Sequence, residues 1–238
     1  MSQYAKLAPH YRDISRQRKA YLEAVDALIL ARVSPPVTSA LDVGAADGVR
    51  GLGLARAMGA RRLVLCEPCP EMAALCREQA ASFPGAYVLE AGALDLETMA
   101  ETHEVIICLW NVLGHLSDNA ARGRALGILR ERLAPGGLIF LDVNNRHNAS
   151  AYGRLKVWGR RCLDAVAFDE TRGDAEYMTR IGGESIPSRG HLFTPAEIEA
   201  LIAGAGLAVR ERRAVHYLSG AVSLNPRQGQ LFYVLEAL

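Results

Sequence analysis

The stretch "LDVGAADGVRG", residues 41 to 51, decides how the rest of the chain is read. A short apolar run ends in one carboxylate, Asp42, and enters a turn made almost wholly of Gly and Ala. With so little side chain in the way, the backbone of such a turn can come close to a ligand. Working outward on both sides, the sequence predicts what surrounds that turn and what it approaches.

Before it, Tyr21, Leu22, Val25, Leu28 and Ile29 repeat at three- and four-residue steps, predicting one amphipathic helix over 15–32 that Pro35-Pro36 ends. From residue 40 a regular alternation begins. Strands are expected at 40–43, 62–67, 87–89, 105–109 and 138–143. Helices are expected at 48–58, at 70 to about 82, and at 119–133, the last stopped by "APGG" at 134–137. "VIICL" at 105–109 is a continuous apolar run, as a strand buried on both faces requires. Strands alternating with helices imply an α/β fold, a parallel sheet covered on both faces.

After Asn145 the pattern breaks. Residues 146–190 are rich in Arg and Gly and show no clean strand, so they read as an insertion, partly helical around 150–165. Thr194-Pro195-Ala196-Glu197 is a capping box opening a helix that ends at Gly204 or Gly206. Two strands, about 207–217 and 230–238, close the chain; the loop between them is too short for a helical crossover, so they should be antiparallel neighbours. The expected division is a helical cap over 1–36, a ligand-binding core over 37–145, a substrate lid over 146–190, and a helix with a strand pair over 191–238 that completes the core.

Composition bounds the function. The 238 residues carry 27 basic and 26 acidic side chains, a net charge of +1, which argues against strong whole-chain attraction to nucleic acid or an anionic bilayer but leaves a local basic patch open. No run approaches the roughly 18 apolar residues that span a membrane. Charges through the first thirty residues interrupt any signal-peptide core, so a soluble, cytoplasmic protein with no membrane partner is expected. Five cysteines, an odd number in a chain of this length, argue against a disulfide framework. Cys66 and Cys69 form one C-x-x-C with no second pair at zinc spacing, so they are read as small buried hydrophobes and no metal site is expected.

In an open parallel sheet, ligands sit beyond the carboxyl ends of the strands where strand order reverses, and the turn after the first strand aims N–H groups at an anionic part of the ligand. A dinucleotide fingerprint from Gly44 would need Gly at 46 and 49, where the chain has Ala46 and Val49. Asp42 would oppose a pyrophosphate and suit a cationic aminoacyl group. Glu67, closing the second strand, can accept hydrogen bonds from a ribose diol.

At this point the sequence resembles a known family. "LDVGAADG" is similar to the first motif of class I S-adenosylmethionine-dependent methyltransferases, with Asp42, Gly44 and Gly48 matching and Ala46 in place of the central Gly. Glu67 matches the acidic residue ending their second strand, "CLWNVLGHL" at 108–116 their fourth motif, and "LAPGGLIFLDV" at 133–143 the segment that follows. The resemblance is to the small-molecule N- and O-methyltransferases. It implies a Rossmann-like doubly wound, mostly parallel seven-stranded sheet with the last strand antiparallel, and S-adenosyl-L-methionine as cofactor, leaving S-adenosyl-L-homocysteine as product. The chain departs from the family at "EAGALDLE", where Gly92 stands in place of an Asp beside the adenine.

The cofactor contacts expected from this resemblance are Asp42, Gly44, Ala45, Ala46, Gly48, Glu67, Pro68, Gly92, Ala93, Leu109, Trp110 and Asn111. Tyr4, Tyr11, Arg18 and Tyr21 are candidates to close over its aminoacyl end, with Arg18 pairing the carboxylate. His115, following the fourth strand, is the candidate general base; its bland alternative ties the loop to a carbonyl. His147, Tyr152, His191 and His216 are candidates for the acceptor site. The expected activity is methyl transfer to an O or N atom of a small molecule, by a monomer or homodimer. The alternatives are non-methylating chemistry on the same cofactor, and an RNA methyltransferase or RNA-binding module, which the short basic and aromatic insertion favours less than a lid.

Overall fold

The computed structural model describes residues 3–181 and 183–238; Met1 and Ser2 of the expected cap and Gly182 of the expected lid lie outside that region. The chain opens with α1 (Gln3–Leu7), α2 (Tyr11–Gln17) and α3 (Lys19–Leu30). The alternating part follows as β1 (Ser39–Val43), α4 (Val49–Ala57), β2 (Arg62–Cys66), α5 (Pro70–Ala80), β3 (Ala86–Leu89), β4 (His103–Cys108), α6 (Asn119–Glu131) and β5 (Leu133–Val143). Then come α7 (Ala149–Tyr152), α8 (Arg154–Val166), β6 (Asp174–Ile181), β7 (Glu184–His191), α9 (Pro195–Gly204), β8 (Leu207–Val215), β9 (Val222–Ser223) and β10 (Gln230–Ala237).

The main sheet runs β3-β2-β1-β4-β5-β10-β8-β9. Strands β1 to β5 are mutually parallel, and β10 inserts antiparallel between β5 and β8. This is the doubly wound sheet with an antiparallel final strand, extended by the two-residue edge strand β9. Strand order reverses between β1 and β4, so their carboxyl ends frame the crevice.

Each strand alternates its side chains between two apolar layers. Leu41 and Val43 pack toward Leu126, Leu129, Ile198 and Ile202 of α6 and α9. Ala40 faces Val25, Ile29, Leu52 and Ala55 of α3 and α4. By the same alternation Asp42 sits on the α3–α4 side, at the top of that layer.

Three expectations are corrected. The single helix over 15–32 is two helices broken at Arg18, whose φ −113°, ψ 14° departs from the helical region, and the first of them begins at Tyr11. No Gly or Pro marks the break, and the apolar repeat runs on into α3. Strand β5 starts at Leu133, not 138: "APGG" is an irregular opening to the strand, with Gly136 at φ +76° and a register shift against β4 between His103 and Val105. The insertion holds a hairpin, β6–β7, paired from Asp174↔His191 to Ile181↔Glu184 as a separate two-stranded sheet. Most of β6 and half of β7 are exposed, and the buried positions of β7 carry Ser188 and His191 beside Ile186, so no apolar alternation announces it.

Candidate active site

The turn after β1 is pinned to β2: the N–H groups of Gly44 and Ala45 both donate to the Cys66 carbonyl, at 2.8 and 2.9 Å. Gly44 takes φ +76°, and a Cβ there would lie 2.5 Å from Val112 Cγ2. The close approach that demands glycine is therefore to the protein's own β4 loop. Ala46 takes φ +51°, a left-handed conformation that costs an L-residue roughly 1–2 kcal/mol. Its N–H donates to Glu67 Oε2 at 2.9 Å, and the Cys69 N–H donates to Oε1 at 2.9 Å. Glu67 thus holds the turn and α5 together while only 5% exposed. Burial raises its pKa, and the two N–H donors pull it back.

Asp42 is buried at the floor, its carboxyl pushed up to about 7 by desolvation against the pull of Arg50, with Glu67 and Asp26 adding to the rise. Arg50 reaches across to Asp26 of α3 at 2.7 Å, tying the cap to the core. Gly51 makes room for Asp42: a Cβ at 51 would fall 2.2 Å from Asp42 Oδ2.

The loop after β4 contains two consecutive left-handed non-glycine residues, Trp110 at φ 62° and Asn111 at φ 65°. Asp142, at the end of β5, fixes both by accepting from their N–H groups. The same carboxylate accepts from the Tyr21 hydroxyl at 2.9 Å. The Asn111 side chain is spoken for, accepting from the Asn144 N–H at 2.8 Å and donating to the His191 carbonyl at 3.2 Å. The Trp110 indole donates to the Tyr217 hydroxyl at 2.9 Å, Tyr11 packs edge-on at 5.7 Å, and Arg18 lies 4.6 Å above the Tyr217 ring.

His115 lies between the Arg189 main-chain carbonyl and the Tyr4 hydroxyl, which is 2.6 Å from Nε2. With one ring nitrogen donating to the carbonyl, Nε2 is the acceptor and Tyr4 the donor. Burial pushes the imidazole pKa down to about 4 and raises that of the Tyr4 phenol far above its usual value.

These elements enclose a cleft of about 1440 Å³ beyond the carboxyl ends of the strands. Most of the expected cofactor contacts line it: Asp42, Gly44, Ala45 and Ala46 from the first turn, Glu67 and Pro68 from the second, Gly92 and Ala93 from the third, and Leu109, Trp110 and Asn111 from the fourth. Tyr11, Arg18, His115 and Tyr152 line it as well.

Five expected site residues do not. Gly48 caps α4, packed against Cys76, and Tyr21 is buried under the floor holding Asp142. His147 pairs with Asp164 of α8 at 2.9 Å. His191 is 1% exposed, clamped between Asp174 at 2.8 Å and Glu197 at 3.1 Å. His216 accepts from the Ser219 N–H at 3.2 Å in a surface turn, and its neighbour Tyr217 faces the cleft instead. Each of these histidines has found a structural partner, the commoner fate of the residue type.

Sequence reasoning missed Asp95, Asp142, Arg50, Tyr177 and Tyr217. Asp95 lines the cleft and accepts from the Gly92 N–H at 2.7 Å, so a carboxylate does stand at the third turn, three residues beyond the expected position. The "ALDLE" following Gly92 carried that signal; nothing local marked Tyr177 on the hairpin.

Residues 40–137 match the family described as a methyltransferase domain. The chain is 28% identical over 117 residues to a ubiquinone biosynthesis O-methyltransferase of Aeromonas salmonicida; the match covers 49% of this chain and 40% of that enzyme, so it spans less than half of the relative's length. Among solved structures, the CcbJ methyltransferase from Streptomyces caelestis superposes with a TM-score of 0.66 at 17% identity, over 90% of this chain and 89% of that one. The S-adenosylmethionine-bound CalS10, an amino pentose methyltransferase from Micromonospora echinaspora, superposes at 0.62 with 19% identity, over 94% and 95%. The likenesses to solved structures speak for the fold. The domain match spans the glycine turn, Glu67 and the β4 loop, and the fold that carries them is the one seen in S-adenosylmethionine-dependent methyltransferases of known structure.

Proposed function

We propose that the chain binds S-adenosylmethionine in this cleft and directs methyl transfer to a nitrogen or oxygen atom of a small-molecule acceptor. The residues present suit that cofactor. Glu67 offers buried carboxylate oxygens to a ribose diol, and the Gly92–Ala93 backbone and Pro68 line the part of the cleft beside it where a flat base would lie. Asp42 gives the floor a carboxylate for an ammonium, and Arg18 gives the rim a cation for a carboxylate. Bound there, the cofactor supplies a methyl carbon on a sulfonium, open to in-line attack. The protein's part is alignment and exclusion of water.

The observation that carries the acceptor reading is the Tyr4 hydroxyl held on His115 Nε2 at 2.6 Å in the cleft wall. His115 fixes the phenol's proton, leaving the phenol oxygen to accept from an N–H or O–H of the acceptor. Both groups are neutral at physiological pH, and an imidazole with a pKa near 4 is a weak base. That suits an amine better than a hydroxyl: once neutral, an amine attacks through its lone pair with its N–H bonds intact and gives up the product's extra proton to water afterwards, whereas a hydroxyl needs a base during the attack. The likeness to an amino pentose methyltransferase supports the same class of acceptor, a small polar amine.

Titration calorimetry with S-adenosylhomocysteine tests the cofactor half: micromolar binding is expected, and tight NAD binding with no S-adenosylhomocysteine binding would refute it. Mass spectrometry of amine and hydroxyl acceptors incubated with S-adenosylmethionine tests the other half. Methylation of hydroxyls alone would overturn the amine reading.

A further inference from the structure

Helix α8 is built inside out. Leu155, Trp158, Cys162 and Val166 recur at three- and four-residue steps, which puts them on one face. That face looks at solvent: Leu155 is 87% exposed, Trp158 66% and Val166 88%. The side turned to the protein carries Val157, buried, and Asp164, paired with Arg146 and His147. An ordinary surface helix points its apolar stripe at the core.

Cations border the outward stripe. Arg154 and Arg161 run along one margin and Lys156 along the other, all exposed. Arg227, from the turn before β10, lines a groove of about 690 Å³ together with Arg154, Leu155, Trp158 and Arg161. The helix's single acidic residue, Asp164, is turned inward and paired.

We propose that this face of α8 seats the protein on an anionic lipid surface. The Leu155–Trp158–Val166 row enters the boundary between headgroups and acyl chains, and Arg154, Lys156, Arg161 and Arg227 meet lipid phosphates. At 13 residues the helix is about 20 Å long, so it lies along a bilayer and does not cross it. A second copy docking through the same face would set Arg154, Lys156 and Arg161 against their own like, with no exposed carboxylate on the helix to answer them. The net charge of +1 and the lack of a spanning run, which argued against a membrane partner, describe the whole chain and leave this local concentration untouched. The inference is independent of the transfer reaction.

The test is flotation of the full chain with vesicles of equal parts phosphatidylglycerol and phosphatidylcholine, and with phosphatidylcholine alone. Binding is expected to the first, weakened by salt. Cys162 is exposed while the other four cysteines are buried, so an environment-sensitive dye on it should shift blue on those vesicles. The double variant Leu155→Asp, Val166→Asp should lose binding, and Arg154→Gln with Arg161→Gln should weaken it by about fivefold per charge. All variants should keep the parent's S-adenosylhomocysteine affinity and melting temperature. If the parent chain ignores anionic vesicles, or the variants float with it equally well, the proposal fails. It fails equally if Leu155→Asp dissolves a dimer seen by sedimentation while vesicle binding is unchanged, which would make the face a contact between copies. Retention of RNA through the same arginines with no vesicle binding would reassign it to nucleic acid.

Discussion

Glu67 does two things at once, and substitution should separate them. Its carboxylate ties Ala46 to Cys69, and its remaining lone pairs face the cleft. Glu67→Gln keeps one backbone acceptor and should weaken S-adenosylhomocysteine roughly ten- to a hundredfold with a modest loss of stability. Glu67→Ala leaves two buried N–H groups unanswered and should lower the melting temperature as well. Calorimetry and thermal melts read the two effects; unchanged affinity in Glu67→Gln would make Glu67 a purely structural clasp. Asp42 shows the opposite economy. Its carboxyl pKa stands near 7 in the fold against about 4 in an unfolded chain, so between those values the folded state holds a proton the unfolded state has released. Stability in that window falls as pH rises, and above 7 the whole cost is present. Asp42→Asn should therefore raise the melting temperature of the ligand-free chain at about pH 8, with the gain vanishing near pH 4, and should weaken the cofactor. A variant no more stable than its parent at alkaline pH would show that Arg50 fully offsets the buried charge.

His115 carries a further prediction at this scale. Its pKa is lowered to about 4, so between about 6.5 and 4 the unfolded chain takes a proton the folded chain refuses, and stability falls as pH drops through that range. His115 itself should add no inflection to the pH profile of turnover at the normal histidine value; its own protonation should show only near pH 4. His115→Gln should reduce turnover roughly a hundredfold while leaving cofactor affinity intact, and Tyr4→Phe should lose turnover with it. A stable His115→Gln variant with unchanged turnover would leave alignment as the whole of catalysis.

Elements were legible in proportion to how much the core dictates them. Strands β1, β2, β4 and β10 are nearly continuous apolar runs because both faces are covered, and the Thr194–Glu197 capping box forms as its spacing requires. The hairpin β6–β7 and the break at Arg18 were not legible: exposure removes the apolar alternation from the first, and a side-chain repeat that continues past the second hides it. The site followed the same division. Residues at strand ends, such as Asp42, Glu67 and Trp110, could be placed from order along the chain. His147, His191 and His216 could not, because their partners Asp164, Glu197 and Ser219 are set by where α8 packs, by the turn from β7 into α9 and by the turn after β8, none of which has a sequence signature around the histidine. The β4 loop tests this view. Its left-handed pair, Trp110 and Asn111, rests on Asp142, contributed by the next strand. Asp142→Ala should cost about 1–3 kcal/mol for each N–H left without an acceptor, and cofactor affinity should fall with stability. An Asp142→Ala chain that melts normally would show the loop to be self-supporting.

At the scale of the whole molecule, the cleft is closed by segments that meet far from where they lie in sequence. Helix α1 is joined to β7 by the Arg189 N–H donating to Gln3 Oε1 at 2.8 Å, and to the β4 loop by Tyr4 on His115. Leu7 of α1, Ile186 of β7, Met72 of α5 and Ala46 of the glycine turn share one small apolar cluster, separate from the two main layers of the core. A cluster this small, with exposed strands on one side, belongs to the part of a fold that opens locally well below the global unfolding free energy. Since cap, hairpin and turn share it, they should open as a unit. A ligand that binds only the closed form slows opening in proportion to its saturation, by about a hundredfold at a hundred times its dissociation constant. Hydrogen exchange with S-adenosylhomocysteine should therefore slow the amides of 3–17, 174–181 and 183–191 together and by the same factor, a factor shared by amides of β1, β4 and β5 that exchange through global unfolding, because the unfolded chain binds no ligand. Leu7→Ala, which removes one member of the cluster, should speed exchange in both cap and hairpin to the same extent. If ligand slowed the cap and left the hairpin unchanged, the two would be independent covers over one cleft, and the contacts at Gln3 and Tyr4 would be too weak to couple them.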